Sequence, residues 1–169
     1  MDFKKAQNYW KEKAADSLQM DSAALQKKIE EYIAENNTCA LATGTGGFIR
    51  NTPIEYSYHD GCFWMFSEGG DKFIGLEENP NVCIAIFDKY TGFGSLKGLQ
   101  VMGKASITEP FSEEYNAHAA LKKIPLAALR KLDPPMNLIR IRAVSADFLN
   151  SDFKKDGFDS RQHLEYGQQ

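Results

Sequence analysis

Apolar positions recur first with a helical period and then with the period of strands. Phe3, Ala6, Trp10 and Ala14 mark one face of an N-terminal helix whose pattern breaks at 16–20. The second helix is clearer. Asp21 or Ser22 can cap it, Leu25, Ile29, Tyr32 and Ile33 form its apolar stripe, and Lys27, Lys28, Glu30, Glu31 and Glu35 form its solvated face. From Thr38 the alternation becomes strand-like. Segments 38–43, 48–58, 62–67, 82–88, 98–107 and 138–144 read as six strands, with Gly44-Thr45-Gly46-Gly47 and His59-Asp60-Gly61 as turns. Pro53 has no N–H to give a ladder, which predicts an edge or a bulge in the second strand. Gly69-Gly70 lead into a short helix over 71–78, stopped by Asn79-Pro80. Another helix is expected from about 110–112 to 124, with a second piece after Pro125 ending at Leu132. The tail from Asn150 is polar, with scattered Phe153, Phe158 and Tyr166, and is expected to dock on the surface.

Short strands in hairpin order predict a mainly β fold, a six-stranded antiparallel barrel with helices packed outside. No linker or repeat divides the chain, so one domain spans 1–169: N-terminal helices over 1–37, a barrel with inserted helices over 38–149, and the tail over 150–169. Cys62-Phe63-Trp64-Met65-Phe66 and Val82-Cys83-Ile84-Ala85-Ile86-Phe87 offer no polar face. One face can fill the barrel, and the other needs cover from flanking helices or from a two-fold partner. A homodimer is the expected state, with Ile84 or Ile86 as trial positions for the partner-facing side.

Composition narrows the classes. With 169 residues, 43% hydrophobic and 25% charged, the chain is sized and composed for one well-filled core. A formal net charge of −3 gives no basic footprint for a phosphate backbone, which argues against a nucleic-acid partner. No apolar run is long enough to span a membrane, and Met1-Asp2-Phe3-Lys4-Lys5 opens no secretory signal. Cys39, Cys62 and Cys83 are an odd set in apolar runs, read as free thiols in a reducing cytoplasm. The expected location is therefore cytoplasmic, with no membrane partner.

Most catalytic patterns are absent: no phosphate loop, no H-E-x-x-H and no G-x-S-x-G. His59-x-x-Cys62 reads either as a metal pair or as a turn histidine beside a core thiol, and the bland reading is preferred. No catalytic residue or metal ligand is assigned. A chain without an evident nucleophile or base suits a cofactor that carries the chemistry itself. Arg50 on the second strand, Ser67 ending the third and Lys72 opening the short helix after Gly69-Gly70 form a candidate phosphate site. The alternative from spacing alone is two ordinary surface cations and a turn, and Asp71 would repel a phosphate.

Cys39-Ala40-Leu41-Ala42-Thr43 and Arg50-Asn51-Thr52-Pro53-Ile54-Glu55-Tyr56 resemble the first two strands of the pyridoxamine 5′-phosphate oxidase-related family of FMN-binding split barrels. So do Phe63-Trp64-Met65-Phe66-Ser67-Glu68-Gly69-Gly70-Asp71-Lys72, then Leu76-Glu77-Glu78-Asn79-Pro80-Asn81-Val82, and the Gly-containing Leu99-Gln100-Val101-Met102-Gly103-Lys104-Ala105. The resemblance runs from about 38 to 107 and loosely on to 138–144. It implies FMN in a groove between two subunits, with its phosphate on Arg50 and Lys72 and Ser67 nearby. It also implies the backbone of Asn51, Thr52 and Pro53 along the ring, Met65 and Phe66 flanking the site, and Gln100 as an amide partner. Two departures count against vitamin B6 phosphate as substrate. Asp71 stands where an Arg usually precedes the Lys, and the tail reads Arg161-Gln162-His163-Leu164-Glu165-Tyr166 instead of the substrate motif. The resemblance thus implies a flavoprotein oxidoreductase of other specificity. Related barrels also bind haem, and a haem- or ligand-binding protein with His118 or His163 as axial ligand, or a structural dimer with an empty groove, are the alternatives.

Overall fold

The computed structural model describes residues 1–167; Gln168 and Gln169, the end of the expected tail, lie outside the described residues. Helix α1 (Phe3–Ala15) is capped by the Asp2 carboxylate, which accepts from Lys5 N–H at 3.1 Å. None of its residues is buried. Its stripe holds two alanines and two aromatics, and Trp10 meets cations instead of a core, with Arg161 and Lys13 at 5.2 and 5.1 Å from its ring. Helix α2 (Ser22–Glu35) is capped by Asp21 and buries Leu25, Ile29, Tyr32 and Ile33 as its pattern requires.

Among the described residues, eight strands form one antiparallel sheet: β1 (Thr38–Thr45), β2 (Phe48–Glu55), β3 (Ser57–His59), β4 (Cys62–Ser67), β5 (Asn81–Phe87), β6 (Lys97–Thr108), β7 (Asn137–Asn150) and β8 (Arg161–Glu165). Two differences raise the count above the expected six. The expected second strand divides at Tyr56, whose N–H donates to Asn37 O and whose hydroxyl donates to Ile33 O, both at 2.8 Å. The polar tail docks by adding β8 to β7, not merely by lying on the surface.

The spatial order is β2-β1-β5-β6-β7-β4-β3, with β8 also on β7. Because β2 and β3 are consecutive in the chain, the two ends of this order are joined covalently, and the sheet curls into a split barrel. Pro53 lies on the terminal strand β2, opposite Ala40, where no ladder needs its missing N–H. Strand β7 is the spine. One edge pairs with β6 along its length, while the other pairs first with β4 and then with β8.

Inward residues fill the barrel, among them Leu41, Phe63, Met65, Ile84, Val101, Ile139 and Ile141, each fully buried. The outward faces of β4 and β5 differ. Cys62, Trp64 and Phe66 of β4 lie under Tyr115 and Ala119 of α4 (Glu113–Leu121) and Leu129 of α5 (Leu126–Leu129). On β5 the outward residues are Cys83, Ala85 and Phe87, and Phe87 is 68% exposed. Ile84 and Ile86 therefore point into the barrel, which corrects the trial assignment of either one to a partner-facing surface.

Candidate functional site

Helix α3 (Lys72–Glu78) sets the position of the candidate cations. It lies so close to β1 that a Cβ on Gly75 would meet Gly44 N at 2.7 Å, and Asn79 Nδ2 donates to Gly44 O at 2.9 Å. Before the helix, Gly70 takes φ +103°, a conformation that a side chain disfavours. The Ser67 hydroxyl donates to Gly69 O and accepts from Gly69 N–H, each at 3.3 Å, and closes the loop.

These contacts bring Lys72 beside Arg50, which projects from β2 opposite Thr43. Lys72 is 7% exposed, and its ammonium donates to Gly69 O. Burial lowers its pKa, the nearby Arg50 guanidinium lowers it further, and Asp71 partly compensates. The Asp71 carboxylate lies 3.7 Å from Arg50, with both side chains more than half exposed. Two cations thus share a corner with one solvated carboxylate. Thr43 Oγ1, behind that corner, is buried without a hydrogen-bond partner.

The remaining expected residues fall into three environments. Asn51 and Pro53 face outward on β2, while Thr52 faces the barrel opposite Leu41. Pro53, Ala40, Ala85, Gln100 and Asp147 form one outward row across the sheet, ending at His163. Gln100 is exposed there. The side chains of Met65 and Phe66 stand elsewhere. Met65 is 0% exposed in the barrel core, and Phe66 packs on Tyr115 and His118 beneath α4. Their alternation in β4 sends one side chain inward and the next under the helix, so neither borders the outward row.

Beside Gln100 the row opens into a cavity of about 230 Å³ lined by Phe87, Asp147 and Arg161, and a second of about 450 Å³ continues under α1 at Trp10 and His163. Sequence reading names His163 as an axial-ligand candidate but misses its place, and that of Arg161, at this end of the row, because both belong to the unexpected β8. Alternation of Arg161, His163 and Glu165 with Gln162 and Leu164 puts one apolar letter in the buried set, too weak a signal to mark a strand. His163 lies 3.2 Å from Asp147 and 2.9 Å from Glu165; burial works against its charge, but the two carboxylates outweigh it and raise its pKa. His118, by contrast, is 2% exposed and hydrogen-bonded to His59 and Ser57, which leaves it no route to an axial role. Among the described residues no cluster of three or more His, Cys, Asp or Glu is arranged to hold a metal ion. Among them, no helix is long and apolar enough to cross a membrane.

The family model for pyridoxamine 5′-phosphate oxidase matches residues 25–150. Similar folds occur in a FAD-binding protein from Mesorhizobium loti, 20% identical with TM-score 0.57, covering 72% of this chain and 89% of that one. HutZ, the haem storage protein of Vibrio cholerae, is 21% identical with TM-score 0.59, covering 70% and 89%. General stress protein 26 from Bacillus anthracis is 21% identical with TM-score 0.58, covering 84% and 98%. No curated protein matches the chain.

Proposed function

Because the chain belongs to the pyridoxamine 5′-phosphate oxidase family, we propose that it is a cytoplasmic, homodimeric FMN-binding oxidoreductase whose substrate is not vitamin B6 phosphate. The observation that carries this reading is the juxtaposition of Arg50 and buried Lys72. Burial first, and then the neighbouring Arg50 guanidinium, lower the Lys72 pKa, and a phosphate dianion would neutralise both cations. Arg50 offers a planar fork of donors and Lys72 a point charge, a combination suited to a terminal phosphate and useless to an unphosphorylated ring.

When bound, FMN would supply hydride or electron transfer. The chain's own residues anchor and orient it. Arg50, Lys72 and Ser67 would hold the phosphate, the outer edge of β2 at 51–53 would run beside the ring, and exposed Gln100 would offer an amide to its polar rim. Asp71 must yield Arg50 to the phosphate, and this competition tempers affinity.

The dimer reading rests on the uncovered outward face of β2, β1, β5 and β6, where small Ala40, Ala42 and Ala85 lie among exposed Ile49, Phe87 and Met102. A second copy seated there would cover this face and enclose the row from Pro53 to Gln100. A second reading, haem binding, draws on His163 at the end of that row and on the haem storage protein of similar fold.

Titration of the purified protein with FMN and riboflavin tests the proposal. FMN should bind more tightly. Lys72→Ala should weaken FMN about ten- to a hundredfold, the loss of one charge-assisted contact of roughly 1.5–3 kcal/mol, and leave riboflavin nearly unchanged. Equal affinities for the two flavins remove the phosphate site, and a haem Soret band in the protein as isolated favours the second reading.

A further inference from the structure

Far from the Arg50–Lys72 corner, a run of side chains ties α4 to the β3–β4 hairpin. Asp60 Oδ2 lies 3.0 Å from His59 Nδ1, His59 Nε2 lies 3.1 Å from His118 Nδ1, and His118 Nε2 lies 3.3 Å from Ser57 Oγ. Both imidazoles lie against Trp64, with centroids 5.0 and 5.1 Å from the indole and planes 4° and 18° from parallel. His118 is 2% exposed, whereas the His59 side chain keeps 27%. Water thus reaches the pair from the His59 end.

The hydrogens can be assigned by elimination. The Asp60 carboxylate only accepts, so His59 Nδ1 carries a hydrogen. In the neutral pair His59 Nε2 then accepts from His118 Nδ1–H, and His118 Nε2 accepts from the Ser57 hydroxyl. Each ring nitrogen has a partner, and the donors all point the same way along the run.

One added proton fits this run. The hydrogen between the rings moves to His59 Nε2, and the added proton sits on His118 Nε2, which now donates to Ser57 Oγ. His59 becomes the cation, beside Asp60, and His118 stays neutral. A second proton has no place. It would put hydrogens on both facing nitrogens, 3.1 Å apart, and set two cations side by side against Trp64.

We propose that the His59–His118 pair is an acid-sensitive latch, which keeps α4 on the outward face of β4 through the first protonation and releases it on the second. The groups around the pair come from each neighbouring element. Glu55 of β2 is paired with Lys122 just beyond α4, Asp60 lies in the turn, and the Cys62 thiol is on β4. Arg140 of β7 lies 5.3 Å from the Trp64 ring and 3.1 Å from Glu114 of α4. Burial, then His59 and Lys122, push the His118 pKa down to about 4 against the pull of Glu55, in keeping with its place as the last group to charge. The Glu55–Lys122 and Glu114–Arg140 pairs are partly solvated and hold α4 weakly by comparison. Release would uncover Trp64, Phe66 and Leu138, an apolar patch that α4 otherwise hides.

Hydrogen exchange followed by mass spectrometry from about pH 7 to about pH 4, corrected for intrinsic rates, tests the latch. The amides of Glu113–Leu121 should lose more than about tenfold protection while β6 and β7 stay protected. In a Trp10→Phe background Trp64 is the remaining indole, and its emission should change over the same range because imidazolium quenches it. His118→Phe keeps a ring against Trp64 and cannot charge, so the separate α4 transition should vanish. His59→Asn keeps a hydrogen-bonding partner for His118 and removes the repelling cation, so the transition should move to lower pH. Joint loss of protection by α4 and the barrel strands overturns the proposal, as does an unchanged α4 transition in a folded sample of either variant.

Discussion

Gly75→Ala tests how the cation pair is held, because the space for the new methyl can be read directly. Its Cβ would lie 2.7 Å from Gly44 N and 3.1 Å from both Gly44 Cα and Thr43 Cβ. The closest atoms are backbone of β1, which is pinned between β2 and β5 and cannot step aside. Helix α3 must therefore withdraw by about 0.7 Å, the difference between 2.7 Å and an ordinary contact near 3.4 Å. Overpacking of this kind costs about 1–3 kcal/mol. Alanine returns about 1 kcal/mol over glycine within a helix. The net loss should be on the order of 1 kcal/mol, read from urea unfolding. Lys72 moves with the helix, away from Arg50, so FMN affinity should fall about three- to tenfold while riboflavin affinity holds. If Gly75→Ala gains the full helical benefit of about 1 kcal/mol and binds FMN unchanged, α3 is not fixed by this contact and the account of the corner fails.

Asp71→Asn removes the carboxylate 3.7 Å from Arg50 and should tighten FMN about threefold or more without affecting riboflavin, by the same titration. Ala85→Glu places a charge on the uncovered outward face; sedimentation should show a monomer that has lost FMN but melts near the parent temperature, and a dimer retaining FMN counts against the interface. Stability should also fall with acid. The folded His118 pKa of about 4 lies below the ordinary imidazole value of 6.5, so the unfolded chain binds more protons between these values. The contribution is fully present above pH 6.5 and is lost as pH falls towards 4, a span worth about 3 kcal/mol at roughly 1.4 kcal/mol per unit. Urea unfolding across that window should show the slope in the parent and a flatter one in His118→Phe.

What was legible in the sequence follows the strength of local signals. The stripe Leu25, Ile29, Tyr32 and Ile33 names its own buried face, and Pro53 calls for an edge or a bulge, of which the structure has the edge, because both rules act within a few residues. Strand β8 was hidden because its two buried residues are Gln162 and Leu164, a pattern with one apolar letter. Gln162 earns burial through hydrogen bonds to Met20 N–H and Asp159 O, each at 2.8 Å, which no periodicity reveals. The apolar runs of β4 and β5 look alike, yet α4 covers only the first; that choice is made by distant residues such as Tyr115. Arg50 and Lys72 form a candidate pair in the sequence by their residue types and adjacent elements, and the resemblance favours that pair over two ordinary surface cations, but their spacing alone does not fix their proximity. The register of β1 against β2 and the fit of Gly75 on Gly44 supply it. Met65 and Phe66 were drawn to the same site by the resemblance, although strand alternation already sends their side chains to opposite faces.

The role of β7 as spine has a consequence for biogenesis. Strand β4 finds its pairing edge at 137–142, roughly seventy residues later in the chain, and β6 likewise waits for β7. At about 5–20 residues per second, the ribosome needs several seconds to span that interval. During that time the run Cys62–Ser67, buried at nearly every position in the finished protein, has an unpaired edge and no α4 over it. Contacts of such long sequence separation also slow the search for the barrel. The nascent chain is therefore most open to aggregation just before β7 emerges, and a trigger-type holdase that engages aromatic strands should bind stalled chains ending near 130 better than those carrying the whole spine.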